Sequence, residues 1–323
     1  MTKIHLSIGK LRSLQQCSSG RHTFTCLALD HRQNLRRALD PDDPGSVSDL
    51  DLTRFKLDVT SRLAASATAV LLDPEFSAAQ AIAAGVLPGQ TPLVVAVEST
   101  GYGGPATARQ SQILPGWSVE KARRMGASMI KLLVYYHPDS PTAAEIEAFV
   151  RQVAEECIRY DLGLMLEPLS YSLAADEKLT SNEKRYVVVE TAGRLTVPGV
   201  DLLKAEFPLD IATDPFEDIW ARVCGDITAH SQAPWILLSA AVDFNVYQRQ
   251  VEVACRAGAS GCAVGRAVWQ EAVGLAGEAR LNFLDETARP RLESLARTCA
   301  EFGRPWTEYY SAPEITPDWY KTY

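Results

Sequence analysis

The 323-residue chain has no apolar run near the ~20 residues that a membrane span needs, which leaves no candidate transmembrane helix. Its first twenty residues mix polar and apolar types and carry no secretory h-region. The seven cysteines (Cys17, Cys26, Cys157, Cys224, Cys255, Cys262 and Cys299) are scattered, odd in number and never spaced Cys-x-x-Cys. That excludes a disulfide framework and predicts small core residues in a reducing, cytoplasmic setting. No Cys/His spacing fits a metal site, so neither a metal nor another cofactor is expected. Basic residues are the minority, 32 Lys and Arg against 40 Asp and Glu, and a net charge of -8 argues against a nucleic-acid partner. No Gly-rich phosphate loop follows an early strand, which disfavours a doubly wound open sheet, the second choice of fold.

What is present is a globular composition, 46% hydrophobic and 22% charged. Eight short apolar runs punctuate the chain: FTCLALD from Phe24, AVLL from Ala69, LVVAVE from Leu93, MIKLLVYY from Met129, LGLML from Leu162, Leu202 to Glu206, WILLS from Trp235 and GCAV from Gly261. Helix-period stretches alternate with them, among them Asp49 to Ala67, Asn182 to Leu195, Asp214-Pro215 to Cys224, Phe244 to Ala257 and about Gly277 to Glu301. A leading helix is expected over Ile8 to Ser18. Ser99 to Gly116 is a long Gly-rich loop, the kind that is usually functional in a compact domain. The alternation, without a composition break, predicts a parallel sheet closed into a (β/α)8 TIM barrel over residues 1–323 as a single domain, with an N-terminal helix and a C-terminal extension.

In such a barrel chemistry sits at the C-terminal ends of the strands. Those ends carry Asp30 with His31 and Arg32, Asp73 and Glu75, Glu98, Lys131 with Tyr135, Glu167, Lys204 with Glu206, Ser239, and Gly265-Arg266. Lys204 lies inside the run Val200 to Glu206, bounded by Pro198-Gly199 and Pro208. Burial disfavours an ammonium, and an uncharged amine is what a Schiff base with a carbonyl requires. The plainer alternative is a lysine with a buried stem and a solvated head. A second inner lysine, Lys131, is expected to lower the charge affinity of both, with Glu167 between them placed to move protons. The alternative for Lys131, Glu167 and Lys204 is a buried ion-pair network that only fixes the core. Ser239, Ala240, Gly265 and Arg266 occupy the usual barrel position for gripping a phosphate or similar oxyanion, with His31 and Glu98 beside them; Arg266 could instead cap a helix.

The stretches LLDPEF (Leu71 to Phe76), TGY (Thr100 to Tyr102), WSVEKARRMGASMIKLLVYY (Trp117 to Tyr136), LEPLSY (Leu166 to Tyr171), VDLLKAEFP (Val200 to Pro208), LLSAAV (Leu237 to Val242), VGRAVW (Val264 to Trp269) and PWTE (Pro305 to Glu308) resemble the class I tagatose 1,6-bisphosphate aldolases and their sulfofructose 1-phosphate aldolase relatives, nearly end to end. The resemblance implies Lys204 as the Schiff-base lysine, Glu167 as acid/base, Lys131 as its supporting cation, Asp30 as a hydroxyl-binding or relay carboxylate, and Ser239, Gly265 and Arg266 as the oxyanion grip. It also implies a phosphorylated or sulfonated sugar as substrate and a homo-oligomer. The chain departs from the family at His31, where glutamine is usual, at Ser99, where the bisphosphate enzymes carry lysine, and at Ala241, where glycine is usual. The expected activity is thus carbon-carbon lysis of a ketose phosphate in carbohydrate metabolism. A sulfofructose 1-phosphate type aldolase, a barrel sugar-phosphate isomerase or epimerase, and a non-catalytic sugar-phosphate-binding barrel are the rivals.

Overall fold

The computed structural model describes residues 3–240, 242–321 and 323; the substitution at Ala241 lies outside them. Eight parallel strands close into a barrel in sequence order: β1 Phe24–Ala28, β2 Ala69–Leu72, β3 Leu93–Ala96, β4 Met129–Tyr135, β5 Gly163–Leu169, β6 Leu202–Ala205, β7 Trp235–Leu238 and β8 Gly261–Val264. The ring closes where β1 meets β8, with Phe24 opposite Gly261 and Leu27 opposite Val264. These strands match the eight apolar runs because a parallel strand is covered on both faces and needs apolar residues throughout.

The strand period of two sorts side chains into two layers. Leu27, Val70, Val95, Ile130, Leu164, Leu203 and Leu237 point outward and join the helices in one buried cluster. Their neighbours Cys26, Leu71, Val94, Met129, Met165, Leu202 and Ile236 point inward and fill the barrel floor. Each fully buried leucine among them contributes about 1.5–3 kcal/mol. Two residues further up the same inner face, Met129 gives way to Lys131, Met165 to Glu167 and Leu202 to Lys204. The floor is therefore apolar and the mouth is charged.

The end opposite the mouth is closed by the chain's own extremities. The leading helix, Ile8–Cys17, sends Leu14 into the inner cluster, which Trp306, Tyr309 and Tyr310 also join. Lys10 Nζ donates to Asp201 Oδ2 at 2.6 Å and to the Gly199 carbonyl at 2.8 Å. Ile4–His5 and Tyr310–Ser311 pair as a parallel two-stranded ribbon.

Two helix expectations need correction. The helix after Pro215 begins at Glu217, past an extended Phe216, and runs on to His230. The helix expected over Gly277 to Glu301 is broken into Gly277–Phe283, a π-helical turn Leu284–Ala288, and Arg289–Phe302. Pro290 lacks an N–H and crowds the carbonyl four residues back, which falls inside that turn; the apolar periodicity runs straight across it. A short helix over Gln33–Leu39, after β1, was not anticipated.

Candidate active site

The charged mouth opens into a cavity of about 490 Å³, within the range of small-molecule sites. Asp30, His31, Glu98, Lys131, Glu167, Lys204, Ser239, Ala240, Gly265 and Arg266 all line it. The sequence reading therefore placed these ten residues in one space, drawn from seven strand ends.

Lys131, at 0% exposure, is the hub. Its Nζ donates to Asp30 Oδ2 at 2.7 Å and Glu98 Oε1 at 2.7 Å, and lies 3.0 Å from Glu167 Oε2. Glu167 Oε2 also lies 2.8 Å from Lys204 Nζ, so one carboxylate oxygen stands within ion-pair distance of both ammonium groups, without the alignment of a hydrogen bond to either. Lys204 itself is 4% exposed. The stems of the two lysines rise from the apolar floor, and period two on β4 and β6 aims both inward.

This geometry corrects the expectation for Lys131. Burial opposes its charge, but Asp30, Glu167 and Glu98 together hold its pKa well above the usual lysine value. A second lysine cannot outweigh three carboxylates. The same field acts in reverse on the acids. Burial would raise Asp30 and Glu167, yet Lys131 and then Lys204 hold both below the usual carboxylate range.

Glu98 is occupied by scaffolding contacts. Besides Lys131, it accepts from the Leu133 amide at 3.1 Å through Oε2, and Arg32 Nη2 lies 3.6 Å from its Oε1. Arg32 in turn donates to the Glu98 carbonyl at 2.8 Å and to Glu75 Oε2 at 2.6 Å. Asp73 leaves the mouth altogether: it pairs with the fully buried Lys56 and accepts from Ser77 Oγ at 2.6 Å. Lys56 and Arg32 carry no spacing signal in the sequence that marks them as supports.

On the β7–β8 side, Ser239 Oγ accepts from the Gly265 amide at 3.2 Å. A Cβ on Gly265 would sit 2.9 Å from the Ala28 carbonyl and 3.0 Å from His31 Cε1, so only glycine fits there. Ala240 adopts a left-handed φ of 28°, an uncommon state for alanine that turns the chain sharply at this corner. Arg266 makes no hydrogen bond or ion pair among the described residues; burial lowers its pKa, with Glu167 opposing. His31 stacks edge-on against Trp269 with ring centroids 5.3 Å apart, and its Nδ1 is buried without a partner. Burial, reinforced by Arg266 and Lys204 against Asp30, lowers its pKa to about 4, so the ring is neutral near pH 7. An unpaired guanidinium beside a hydroxyl, a glycine amide and a neutral imidazole is suited to an oxyanion.

A closed (β/α)8 barrel with a lysine–carboxylate cluster buried in its C-terminal mouth is the architecture of a class I aldolase. Solved structures share the fold: an archaeal fructose 1,6-bisphosphate aldolase superposes with a TM-score of 0.59 at 18% identity over 90% of this chain and 98% of that one. The Plasmodium falciparum fructose-bisphosphate aldolase does so with a TM-score of 0.67 at 13% identity over 94% and 98%. Nearer in sequence, tagatose 1,6-diphosphate aldolase 1 of Streptococcus pyogenes serotype M1 is 30% identical over 312 residues, 88% of this chain and 94% of the relative. Tagatose 1,6-diphosphate aldolase 2 of Enterococcus faecalis (strain ATCC 700802 / V583) is 31% identical over 93% and 96%. Residues 24–271 match the model of the DeoC/LacD family aldolases, and the chain belongs to that family: it is an aldolase, a carbon–carbon lyase.

Proposed function

We propose that Lys204 is the Schiff-base nucleophile and that the substrate is a ketose phosphate of the tagatose 1,6-bisphosphate kind, cleaved to dihydroxyacetone phosphate and an aldehyde. The observation that carries the reading is the shared oxygen: Glu167 Oε2 stands 2.8 Å from Lys204 Nζ and 3.0 Å from Lys131 Nζ. A proton passed from Lys204 to Glu167 leaves a neutral amine and, beside it, a carboxylic acid. Lys131 stays charged, because Asp30 and Glu98 hold its proton.

The amine adds to the substrate carbonyl carbon. Glu167 gives its proton to the resulting hydroxyl, which leaves as water and produces a protonated imine. Glu167, again a carboxylate, then takes the proton of the C4 hydroxyl. The C3–C4 bond breaks, its electron pair enters the imine as an enamine, and the aldehyde departs. Reprotonation at C3 and hydrolysis release the ketone product and restore Lys204. Asp30, 2.7 Å from Lys131, is placed to accept a substrate hydroxyl. Ser239, Gly265 and Arg266 receive the phosphate on the ketone side. The names of the relatives support a bisphosphorylated ketose. The packing of the leading helix and the tail against the barrel floor supports a single working domain. All seven cysteine thiols are unpaired and buried, which supports a reducing, cytoplasmic setting.

Borohydride reduction with dihydroxyacetone phosphate, followed by peptide mass analysis, tests the assignment. The expected result is an irreversible adduct on the peptide carrying Lys204, absent in Lys204→Met. An adduct on another lysine, or none with any ketone, overturns it.

A further inference from the structure

The arm 99–116 between β3 and β4 does more than cover the mouth. It folds back on itself through two isolated antiparallel bridges, Glu98 with Ile113 and Gly103 with Gln110. Gly101 and Gly104 take left-handed φ values of 78° and 75° at its bend. On its return limb, Arg109 is enclosed by three tyrosines from three different elements: its guanidinium carbon lies 4.3 Å from the Tyr102 ring centre, 4.7 Å from Tyr171 and 5.2 Å from Tyr135. Tyr102 belongs to the arm, Tyr135 ends β4 and Tyr171 follows β5. Tyr102 and Tyr135 also line the catalytic cavity.

Aromatic faces order a guanidinium without neutralising it, and leave its N–H edge available. Here that edge is almost unused. Nε donates to the Ala106 carbonyl at 3.0 Å, and neither Nη has a partner among the described residues. The nearby carboxylate of Glu145 accepts from Gln110 at 3.2 Å instead. The position completes the case. Arg266 follows β8, and the tyrosine cage is built at the ends of β3, β4 and β5. In an eight-membered ring β4 is half a turn from β8, so the tyrosine cage that holds Arg109 and the strand end that carries Arg266 stand on opposite sides of the ring, with β6 and its Lys204 between them in strand order; of the cage, Tyr102 and Tyr135 line the cavity.

We propose that Arg109, held by Tyr102, Tyr135 and Tyr171, receives the second anionic end of the substrate, opposite the oxyanion grip at Arg266, and so makes the enzyme selective for ketoses charged at both ends. The ligand is a tetrahedral oxyanion on the carbon farthest from the imine. This rests on the reading of Arg266 as the first anion site. It gives the doubly charged substrate a receptor on the rim where Ser99 supplies no cation.

The test is binding of reduced, carbonyl-free analogues, which cannot form an imine and so report on Arg109 independently of Lys204. Dissociation constants for hexitol 1,6-bisphosphate and hexitol 1-phosphate are measured with wild type, Arg109→Met and Arg109→Lys. Wild type is expected to bind the bisphosphate about 10- to 100-fold more tightly, the range of one charge-assisted contact. Arg109→Met should erase that gap and leave the 1-phosphate unchanged, while Arg109→Lys restores part of it. An equal loss for both ligands would make Arg109 a staple for the arm and overturn the proposal. So would a gap that survives in Arg109→Met, or no gap in wild type. Trapping with dihydroxyacetone phosphate, which carries one phosphate, should remain intact in Arg109→Met; failure of trapping in wild type refutes the imine reading and leaves the binding comparison standing.

Discussion

Replacing Glu167 by glutamine is the sharpest perturbation of the site, because it changes one oxygen that two cations share. The amide keeps the size of the side chain but neither stores nor delivers a proton. Its consequences for the two lysines differ. Lys131 retains Asp30 and Glu98, each at 2.7 Å, and stays charged. Lys204 loses the one carboxylate it pairs with among the described residues. An uncompensated buried charge costs about 3–5 kcal/mol, and the species that adds to a carbonyl is the uncharged amine, which needs no counter-ion. Nucleophilic addition therefore survives, while loss of water from the adduct and abstraction of the C4 hydroxyl proton do not have their catalyst. General acid–base catalysis contributes about 10²–10⁴-fold, which sets the expected fall in kcat. Steady-state cleavage measured by coupled detection of dihydroxyacetone phosphate gives kcat, and timed borohydride quenching gives the rate of adduct formation. Glu167→Gln should still be trapped, slowly, on Lys204. Turnover at the wild-type rate would remove Glu167 from the mechanism, and trapping at the wild-type rate would remove it from the loss of water that forms the imine.

Two further outcomes follow from the charges described above. His31 has a folded pKa of about 4, below its ordinary value of 6.5, so the unfolded chain takes up the proton first. Its share of stability is complete above pH 6.5 and is lost as the pH falls from 6.5 to 4, on the order of 3 kcal/mol at most. Denaturant titrations of His31→Gln across that window should give a flatter profile than wild type; identical slopes would refute the assignment of a neutral buried imidazole. At the floor, Lys10→Met strands Asp201, whose pKa burial already raises against the pull of Lys10. A loss of about 3–5 kcal/mol in unfolding free energy is expected with kcat unchanged, since the pair lies on the face opposite the mouth. A fall in kcat without a fall in stability would contradict that separation.

The eight strands were readable because each is a short apolar run between Gly, Pro and polar signals, and their inner faces because period two fixes which residues align. Spacing alone thus puts Lys131, Glu167 and Lys204 on the inner wall. It does not give their connections. Whether a second lysine or three carboxylates surround Lys131 depends on the register between strands and on the tilt of the barrel, which no spacing within one strand records. Arg32 and Lys56 became visible as supports only once β2 and β3 were set beside β1. Arg109 was hidden for a similar reason: its three aromatic partners come from the arm, the end of β4 and the segment after β5, so nothing local in the sequence distinguishes it from any other arginine in a polar loop. The π-turn before Arg289 was missed because helical periodicity survives a single inserted turn.

Every strand of the ring pairs with its neighbour in the chain except at the seam, where β1 meets β8. The seam is therefore the contact with the largest loop to close and the least local support. His31 sits on one lip of it and Gly265-Arg266 on the other. The two lips therefore face one another only in the closed ring, and an anion bound across them would add RT ln(1 + [L]/Kd) to the stability of that ring. An anion that spans the seam would in that way act as a fastener for the ring as well as a ligand.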